Sequence, residues 1–248
     1  CSGPDFPHAF WRQLGGAGLL GVGFPAEYGG QGPSLVEVAE TGAALVRTGG
    51  SLGLGLAWLL NEMLGRFAIV RLGSPAQRQA LLPAMARGEL LCAMAISEPG
   101  VGAHPKHLAT RVERADGGWQ ITGEKAFVSN GPNADLFILL AVSGELDGRK
   151  RFSAFLVPAD APGLSRVAGT VVAGLAPLGH CGLRLEACSL GAKALLGEEG
   201  SAFEAPPEVV KEDPALLEQE RSLYIAKRNE LDAQLGIARQ QLAQRNQE

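Results

Sequence analysis

The sequence predicts an α+β protein: a helical N-terminal domain, a middle antiparallel β-barrel or sandwich, and one long C-terminal amphipathic helix. Helical periodicity with capping signals runs through residues 1–90, and short apolar runs between turn signals run through residues 91–204. After Pro206-Pro207, glycine disappears except for Gly236, and charged residues and glutamine dominate. We therefore expect three parts, with the last spanning residues 205–248.

The N-terminal part carries clear helix start signals. Ser34 and Glu37 have the spacing of a capping box, in which each side chain bonds the other residue's backbone N–H. Ser74 and Gln77 repeat that spacing, with a proline at the first helical position. Between the two boxes, residues 51–72 are apolar enough to predict a helix buried on most sides.

The middle part has the length and spacing of short strands. Asp116-Gly117-Gly118 separates two strand-like runs and predicts a β-hairpin. Four further runs of strand length follow at residues 136–142, 152–157, 170–173 and 183–190. Such spacing is typical of a small antiparallel barrel or sandwich.

Composition excludes several classes of function. The chain has 248 residues and a formal net charge of −4, so no basic surface predicts nucleic-acid binding. No apolar run reaches the roughly 18 residues of a membrane-spanning helix. Four cysteines without a C-x-x-C pair predict a reducing, cytoplasmic setting, and the four histidines form no metal-ligand set. Because the chain does not begin with methionine, we expect a fragment.

Residues 90–131 contain the strongest candidate site. Ser97 and Ser129 fall at predicted strand ends, and Phe127 lies between them in sequence. Two hydroxyls and one aromatic ring suit a polar-edged apolar wall for a planar ligand. The same residues also fit a strand, turn and hairpin without any ligand, so composition leaves both interpretations open.

The chain resembles the acyl-CoA dehydrogenases over about residues 10–204, in order and with family-like spacing. The matching stretches include GVGFPAEYGGQG at 21–32, SEPGVG at 97–102, DGGWQITGEKAFVSNG at 116–131 and LLGEEGSAF at 195–203. The resemblance implies FAD as cofactor, an acyl-CoA substrate and electron-transfer flavoprotein or a similar acceptor. It also implies α,β-desaturation of the thioester, in fatty acid metabolism, with hydride transfer to flavin N5.

The resemblance also implies a set of cofactor-binding residues. Met94, Ile96 and Ser97 would line the pyrimidine side of the flavin. Gly102 and Ala103 would lie along the pyrophosphate and the thioester end of the substrate. The isoalloxazine ring would be flanked by Phe127 and Ser129, with the hydroxyl near N5.

Some positions depart from the family pattern. Ala103 and His104 stand where the family usually has Ser-Asp, and the link around residues 179–184 is a few residues short, which leaves the local strand register open. No acid matches the family's catalytic base, so we assign no catalytic residue. Glu98 is the nearest acid and is expected to belong to the loop's own structure.

The family match ends near residue 205, and residues 206–248 do not resemble the family's C-terminal four-helix domain. They resemble instead the coiled coil of periplasmic adaptor (membrane-fusion) subunits of type I secretion systems, with apolar residues seven apart at 217, 224, 231 and 238. We expect a truncated flavoprotein that is impaired or inactive alone. The alternatives are an interaction protein that oligomerises through this helix, and a non-catalytic relative that binds acyl-CoA or a partner.

Overall fold

The computed structural model describes residues 6–202, apart from residues 33, 50, 170, 171 and 173. The predicted C-terminal helix, its coiled-coil resemblance and the absence of a four-helix domain concern residues outside this range. The described residues contain α1 (His8–Gly16), α2 (Leu35–Gly49), α3 (Leu52–Leu60), α4 (Phe67–Leu72) and α5 (Pro75–Ala86). Helices therefore occupy the N-terminal part, as the periodicity predicts.

The apolar stretch at 51–72 is one continuous helical segment. Helix α3 passes into a π-helical turn, Asn61–Arg66, and then into α4. By length and composition, this 21-residue segment, Leu52–Leu72, could cross a membrane, contrary to the expectation that no apolar run is long enough. Its most apolar window is 56% buried inside the protein, so much of its apolar surface already packs against the fold.

Of the two predicted capping boxes, the one at Ser74 and Gln77 forms in full, whereas the described residues at Ser34 and Glu37 show one of the two expected bonds. Ser74 Oγ accepts a hydrogen bond from Gln77 N at 3.2 Å, and Gln77 Oε1 accepts one from Ser74 N at 2.8 Å. Ser34 Oγ accepts from Glu37 N at 3.2 Å. The side chain of Gln77 also donates to two backbone carbonyls, Lys193 O and Leu195 O, each at 2.9 Å. Helix α5 is thereby attached to the far end of the sheet domain.

Eight strands of the described residues form one sheet in the order β6-β7-β3-β2-β4-β5-β8, with β1 paired to β4. Their bounds are β1 Cys92–Ala95, β2 Arg111–Ala115, β3 Gly118–Ser129, β4 Leu136–Leu146, β5 Arg149–Pro158, β6 Leu164–Ala168, β7 His180–Gly191 and β8 Leu195–Leu196. The pairing is antiparallel except that β4 runs parallel to β1 and to β2. The sheet is therefore mixed, and the expectation of a purely antiparallel barrel or sandwich is wrong in this respect: the β2–β3 hairpin reverses the chain before β4, so β4 runs in the direction of β2.

Two details of the strands differ from the sequence-based expectation. Strand β6 was not predicted, because its residues are mostly exposed at the sheet edge and lack apolar alternation. The predicted strand at 170–173 falls largely outside the described residues. The strand register around residues 179–184, left open by the sequence, is set by the pairing of β7 with β3. Ser129 pairs with His180 at one end and Gly118 with Gly191 at the other, with two register shifts between them.

Strand β4 connects the two domains because it is buried on both faces. Phe137, Leu139 and Ala141 point into the core of the sheet domain. The alternate residues Leu136, Ile138 and Leu140 pack with residues of the helices in a second core. Since successive side chains of a strand point to opposite faces, one strand contributes to both cores.

Candidate functional site

Six of the seven predicted cofactor-binding residues line one cavity of about 220 Å³. They are Met94, Ile96, Ser97, Ala103, Phe127 and Ser129. Gly102 belongs to the same loop but not to the cavity wall. The remaining wall comes from Cys92, Ala93, Ala126 and two leucines of the helical segment, Leu60 and Leu64. Elements far apart in sequence thus meet at one site.

The loop after β1 is a tight turn that requires glycine. Glu98 N donates to Gly102 O at 2.9 Å, and Gly102 N donates to Glu98 O at 3.1 Å. Gly100 and Gly102 have φ values of 75° and 64°, a region that side chains disfavour. A Cβ atom at either glycine would meet nothing within 4 Å, so this side of the backbone is open to a ligand.

A buried ion pair holds this loop against β3. Lys125 Nζ lies 2.8 Å from Glu98 Oε1, and the two side chains are almost fully buried. The Glu98 carboxylate also accepts from Ala109 N at 2.7 Å and Thr110 N at 2.9 Å, while Lys125 Nζ donates to Ile96 O at 3.1 Å. The expectation that Glu98 serves the loop's structure agrees with these four bonds.

The ionisation of this pair follows from its surroundings. Burial alone would raise the pKa of Glu98, but hydrogen bonds from Lys125, Thr110 and Ala109 outweigh it and lower that pKa. Burial lowers the pKa of Lys125, and Glu98 partly offsets this effect. The lowered pKa of Glu98 favours its carboxylate form, in which it accepts the hydrogen bonds of the loop.

Phe127 projects into the cavity from a bulge in β3. Between Lys125–Leu183 and Val128–Cys181, β3 has one residue more than β7. Phe127 adopts φ 54° there and leaves 66% of its surface exposed. It also lines a second cavity of about 350 Å³, together with His180 and Arg184.

The two serines offer free hydroxyls to the cavity. Within the described residues, neither Ser97 Oγ nor Ser129 Oγ has a hydrogen-bond partner, although Ser97 O accepts from Ala126 N at 2.8 Å. Backbone bonds therefore fix their positions while leaving the side chains available to a ligand.

The described wall of this cavity has one ionisable side chain, the thiol of Cys92, whose pKa burial raises to about 12. None of its described residues carries a carboxylate, and the described chain has no group of three or more His, Cys, Asp or Glu suited to a metal. His104, at the departure from the family pattern, is exposed, and its Nδ1 accepts from Lys106 N at 3.3 Å. This cavity can orient a planar ligand, but its described wall has no carboxylate that could accept a proton.

Sequence reasoning missed three contributors to this site. Leu60 and Leu64 lie four residues apart in a helix that the sequence predicts to be buried on most sides, so nothing in the sequence marks them as cavity residues. Lys125 is 2% exposed within a strand, and a lysine at an inward position of an alternating strand is the signal that indicates a buried ion pair.

A larger apolar groove, of about 1120 Å³, lies between α5 and the ends of β5 and β7. Its polar lining includes Gln77, Asp160, Lys193 and Glu198, and Gln77 is already bonded to backbone carbonyls. None of the residues predicted to bind a cofactor lies there. The smaller cavity is therefore the better candidate for chemistry.

Comparison with known proteins matches both domains. The profile of the acyl-CoA dehydrogenase N-terminal domain matches residues 2–89, and that of the acyl-CoA dehydrogenase middle domain matches residues 93–188. The mitochondrial isovaleryl-CoA dehydrogenase of Oryza sativa subsp. japonica is 33% identical over 190 residues, covering 77% of this chain and 46% of the relative. The chain spans about half the length of the curated relatives it matches.

Solved structures show the same fold. Acyl-CoA dehydrogenase from Geobacillus kaustophilus aligns with a TM-score of 0.73 and 28% identity, covering 80% of this chain and 52% of that one. Acyl-CoA dehydrogenase complexed with FAD from Bacillus anthracis aligns with a TM-score of 0.70 and 32% identity, covering 78% and 33%.

Proposed function

Because the chain belongs to the acyl-CoA dehydrogenase family, whose N-terminal and middle domains it carries, we propose that its 220 Å³ cavity is the flavin-facing part of such a site. The cofactor would be FAD, and the observation that carries the proposal is the convergence of six predicted residues on one wall. We place the division between the domains near residue 90 and the end of the middle domain near residue 204.

The described residues suit an isoalloxazine ring. Ser97 and Ser129 supply hydroxyls without competing partners, and Phe127 supplies an exposed aromatic face. The open side of Gly100 and Gly102 leaves backbone room beside the loop for phosphate oxygens. Flavin rings bind where an apolar wall carries a few hydrogen-bonding groups, and this wall has that character.

When bound, FAD supplies the hydride acceptor for desaturation of an acyl-CoA thioester. The residues of this chain would orient that group: Ser129 and Ser97 would bind its polar edge, and Met94, Ile96 and Phe127 would pack against the ring. The Glu98–Lys125 ion pair keeps the loop in place and moves no proton. Orientation in a water-poor site is the contribution that a protein makes to flavin chemistry.

We propose that the described residues do not complete the catalysis. No carboxylate lines their cavity, so the base that takes the α-proton must come from another segment or another chain. The acyl-CoA substrate, an acceptor resembling electron-transfer flavoprotein and a cytoplasmic location belong to the same proposal. Oligomerisation and the adaptor-like coiled coil remain predictions for residues 205–248.

Titration of the purified full chain with FAD, followed by flavin fluorescence, tests the cofactor proposal. Ser97→Ala and Ser129→Ala should each weaken binding about threefold to tenfold, because each removes one hydrogen bond. Ser165→Ala is the matched control, since Ser165 lies exposed on β6. Absence of FAD binding by the parent chain, or equal loss in all three variants, would contradict the proposal.

Anaerobic addition of isovaleryl-CoA to the FAD-loaded chain tests the second part. We expect the visible flavin absorption to persist, because no carboxylate lines the described cavity. Bleaching by the chain alone would show that a base is present and would overturn this part, while leaving the cofactor proposal intact.

A further inference from the structure

The helical wall of the cavity contains a π-helical turn, and the spacing of buried residues explains it. Ala57, Asn61, Gly65 and Ile69 are all buried and are four residues apart. In an α-helix, each step of four advances the side chain about 40° beyond a full turn. The turn at Asn61–Arg66 has more residues per turn and offsets that drift, so all four stay on one face.

A buried polar network lies in this turn. Asn61 Oδ1 accepts from Cys92 N at 3.0 Å, and Asn61 Nδ2 donates to Glu62 Oε1 at 3.3 Å. Arg66 Nε lies 3.3 Å from Glu62 Oε2 and Arg66 Nη1 donates to Gly23 O at 2.5 Å. The Asn61–Glu62–Arg66 network therefore joins the helix to the start of β1 and to an N-terminal turn.

This network is a poor source of stability. Glu62 is 0% and Arg66 6% exposed, and Glu62 Oε2 and Arg66 Nε lack well-formed hydrogen bonds. Burial raises the pKa of Glu62 well above its usual value and lowers the pKa of Arg66. A buried pair of ionisable side chains with incomplete hydrogen bonding often stabilises a fold less than apolar side chains of similar volume would. The network is better explained by the position that it enforces.

The network lies next to the part of the helix that lines the cavity. Leu60 and Leu64 lie beside the network residues on the helix and line the cavity. Cys92, whose N–H bonds Asn61, lines the cavity too. A side chain at Gly65 would come within 2.9 Å of Cys92 Cβ, so helix and strand are in close contact at this point. Any relaxation of the π-helical turn would move this wall.

We propose that Asn61, Glu62 and Arg66 are positioning residues that hold the π-helical turn so that Leu60 and Leu64 form the cavity's helical wall. Its relevance to flavin rests on the proposed function. The structural claim stands on the helix alone, and its test needs no cofactor.

Alkylation of Cys92 by iodoacetamide, located by peptide mass, measures whether this wall opens. Burial raises the pKa of Cys92 to about 12, so its thiol reacts slowly while the wall is closed. The variant Glu62→Met/Arg66→Met keeps roughly the same volume and removes the Glu62–Arg66 pair and the bond from Arg66 to Gly23 O. If these bonds hold the π-helical turn in place, Cys92 should react about tenfold faster in this variant. Cys181 and Cys188, in the sheet core, are internal controls and should not change.

The exposed pair Arg87 and Glu89 provides the matched control, since Arg87→Met/Glu89→Met removes an ion pair of the same type at the surface. No acceleration at Cys92, acceleration of all three cysteines together, or an equal effect of the control would each overturn the proposal.

FAD titration of the same variants gives a second readout. We expect the Kd for FAD to rise about tenfold and the vibronic structure of its visible band to weaken. If the parent chain binds no FAD, the proposed function fails while the alkylation result still decides the role of the network. If Cys92 accelerates and FAD binding is unchanged, the role of the network in the flavin site is refuted.

Discussion

At the scale of single residues, Phe127 violates two ordinary preferences at once. A large aromatic side chain is 66% exposed, and its backbone has a φ of 54°. Such conformations cost about 1–3 kcal/mol and persist where the surrounding structure imposes them, often at ligand sites. The bulge in β3 imposes it here and turns the ring toward the cavity.

Replacing Phe127 with glycine should therefore separate stability from binding. We expect Phe127→Gly to leave the free energy of unfolding unchanged or raise it by about 1 kcal/mol, because strain is relieved and little buried surface is lost. Its affinity for FAD should fall about tenfold because an aromatic face is lost. Urea unfolding and flavin titration measure the two quantities.

Ala187, with φ 50° and an exposed position on β7, provides the control. Ala187→Gly should relieve similar strain without any change in FAD affinity. A large loss of stability in Phe127→Gly would show that the ring serves packing instead of binding.

At the scale of elements, the loop after β1 depends on one buried ion pair. Glu98 has a lowered pKa, so it stabilises the folded state fully above its unfolded pKa of about 4.3. That contribution is lost as pH falls through the lower folded pKa. The hydrogen bond from Lys125 is the largest of the contributions that lower the pKa of Glu98, so removing Lys125 should raise that pKa.

We expect Lys125→Met to cost about 3–5 kcal/mol at neutral pH, because it leaves a buried carboxylate unpaired. The loss of stability on acidification should also begin at a higher pH than in the parent chain. Urea unfolding as a function of pH measures both effects. Arg184→Met, which breaks the exposed pair with Glu124, should cause neither change.

Helix α5 begins at a capping box in which the side chain of Gln77 makes more hydrogen bonds than that of Ser74. Ser74 Oγ bonds one backbone N–H, whereas Gln77 also binds two carbonyls more than a hundred residues away. We expect Ser74→Ala to cost about 1 kcal/mol and Gln77→Ala about 2–3 kcal/mol in urea unfolding. Equal costs would show that the long-range bonds contribute nothing.

At the scale of the whole molecule, β4 makes helices and sheet interdependent. Ile138 is 1% exposed in the core shared with the helices, and Phe137 is fully buried in the other core. The described helices and strands also fall in one compact unit. We therefore expect one cooperative unfolding transition for this unit.

Ile138→Ala should lower stability by about 2–5 kcal/mol, because it leaves a cavity between helices and sheet. Helix-sensitive circular dichroism and tryptophan fluorescence should shift together. Leu146→Ala on the same strand, where the side chain is 57% exposed, should have little effect. A helix transition that separates from the fluorescence transition would argue against coupling.

Local patterns were sufficient to predict much of this protein. Periodicity identified the helical part and the strand-rich part, and short-range chemistry identified the capping box and the hairpin. The resemblance of a few motifs identified the family and the loop that faces the cavity. These features depend on neighbours in sequence, so a single chain is enough to reveal them.

Only the tertiary structure determined the rest. The parallel pairing of β1 with β4, the edge strand β6 and the burial of Glu62 with Arg66 depend on residues that are distant in sequence. Leu60 and Leu64 became cavity residues because the π-helical turn sets their direction, and Lys125 became a partner of Glu98 because β3 passes beside the loop. Sequence determined which segments carry chemistry, and packing determined which of their side chains meet.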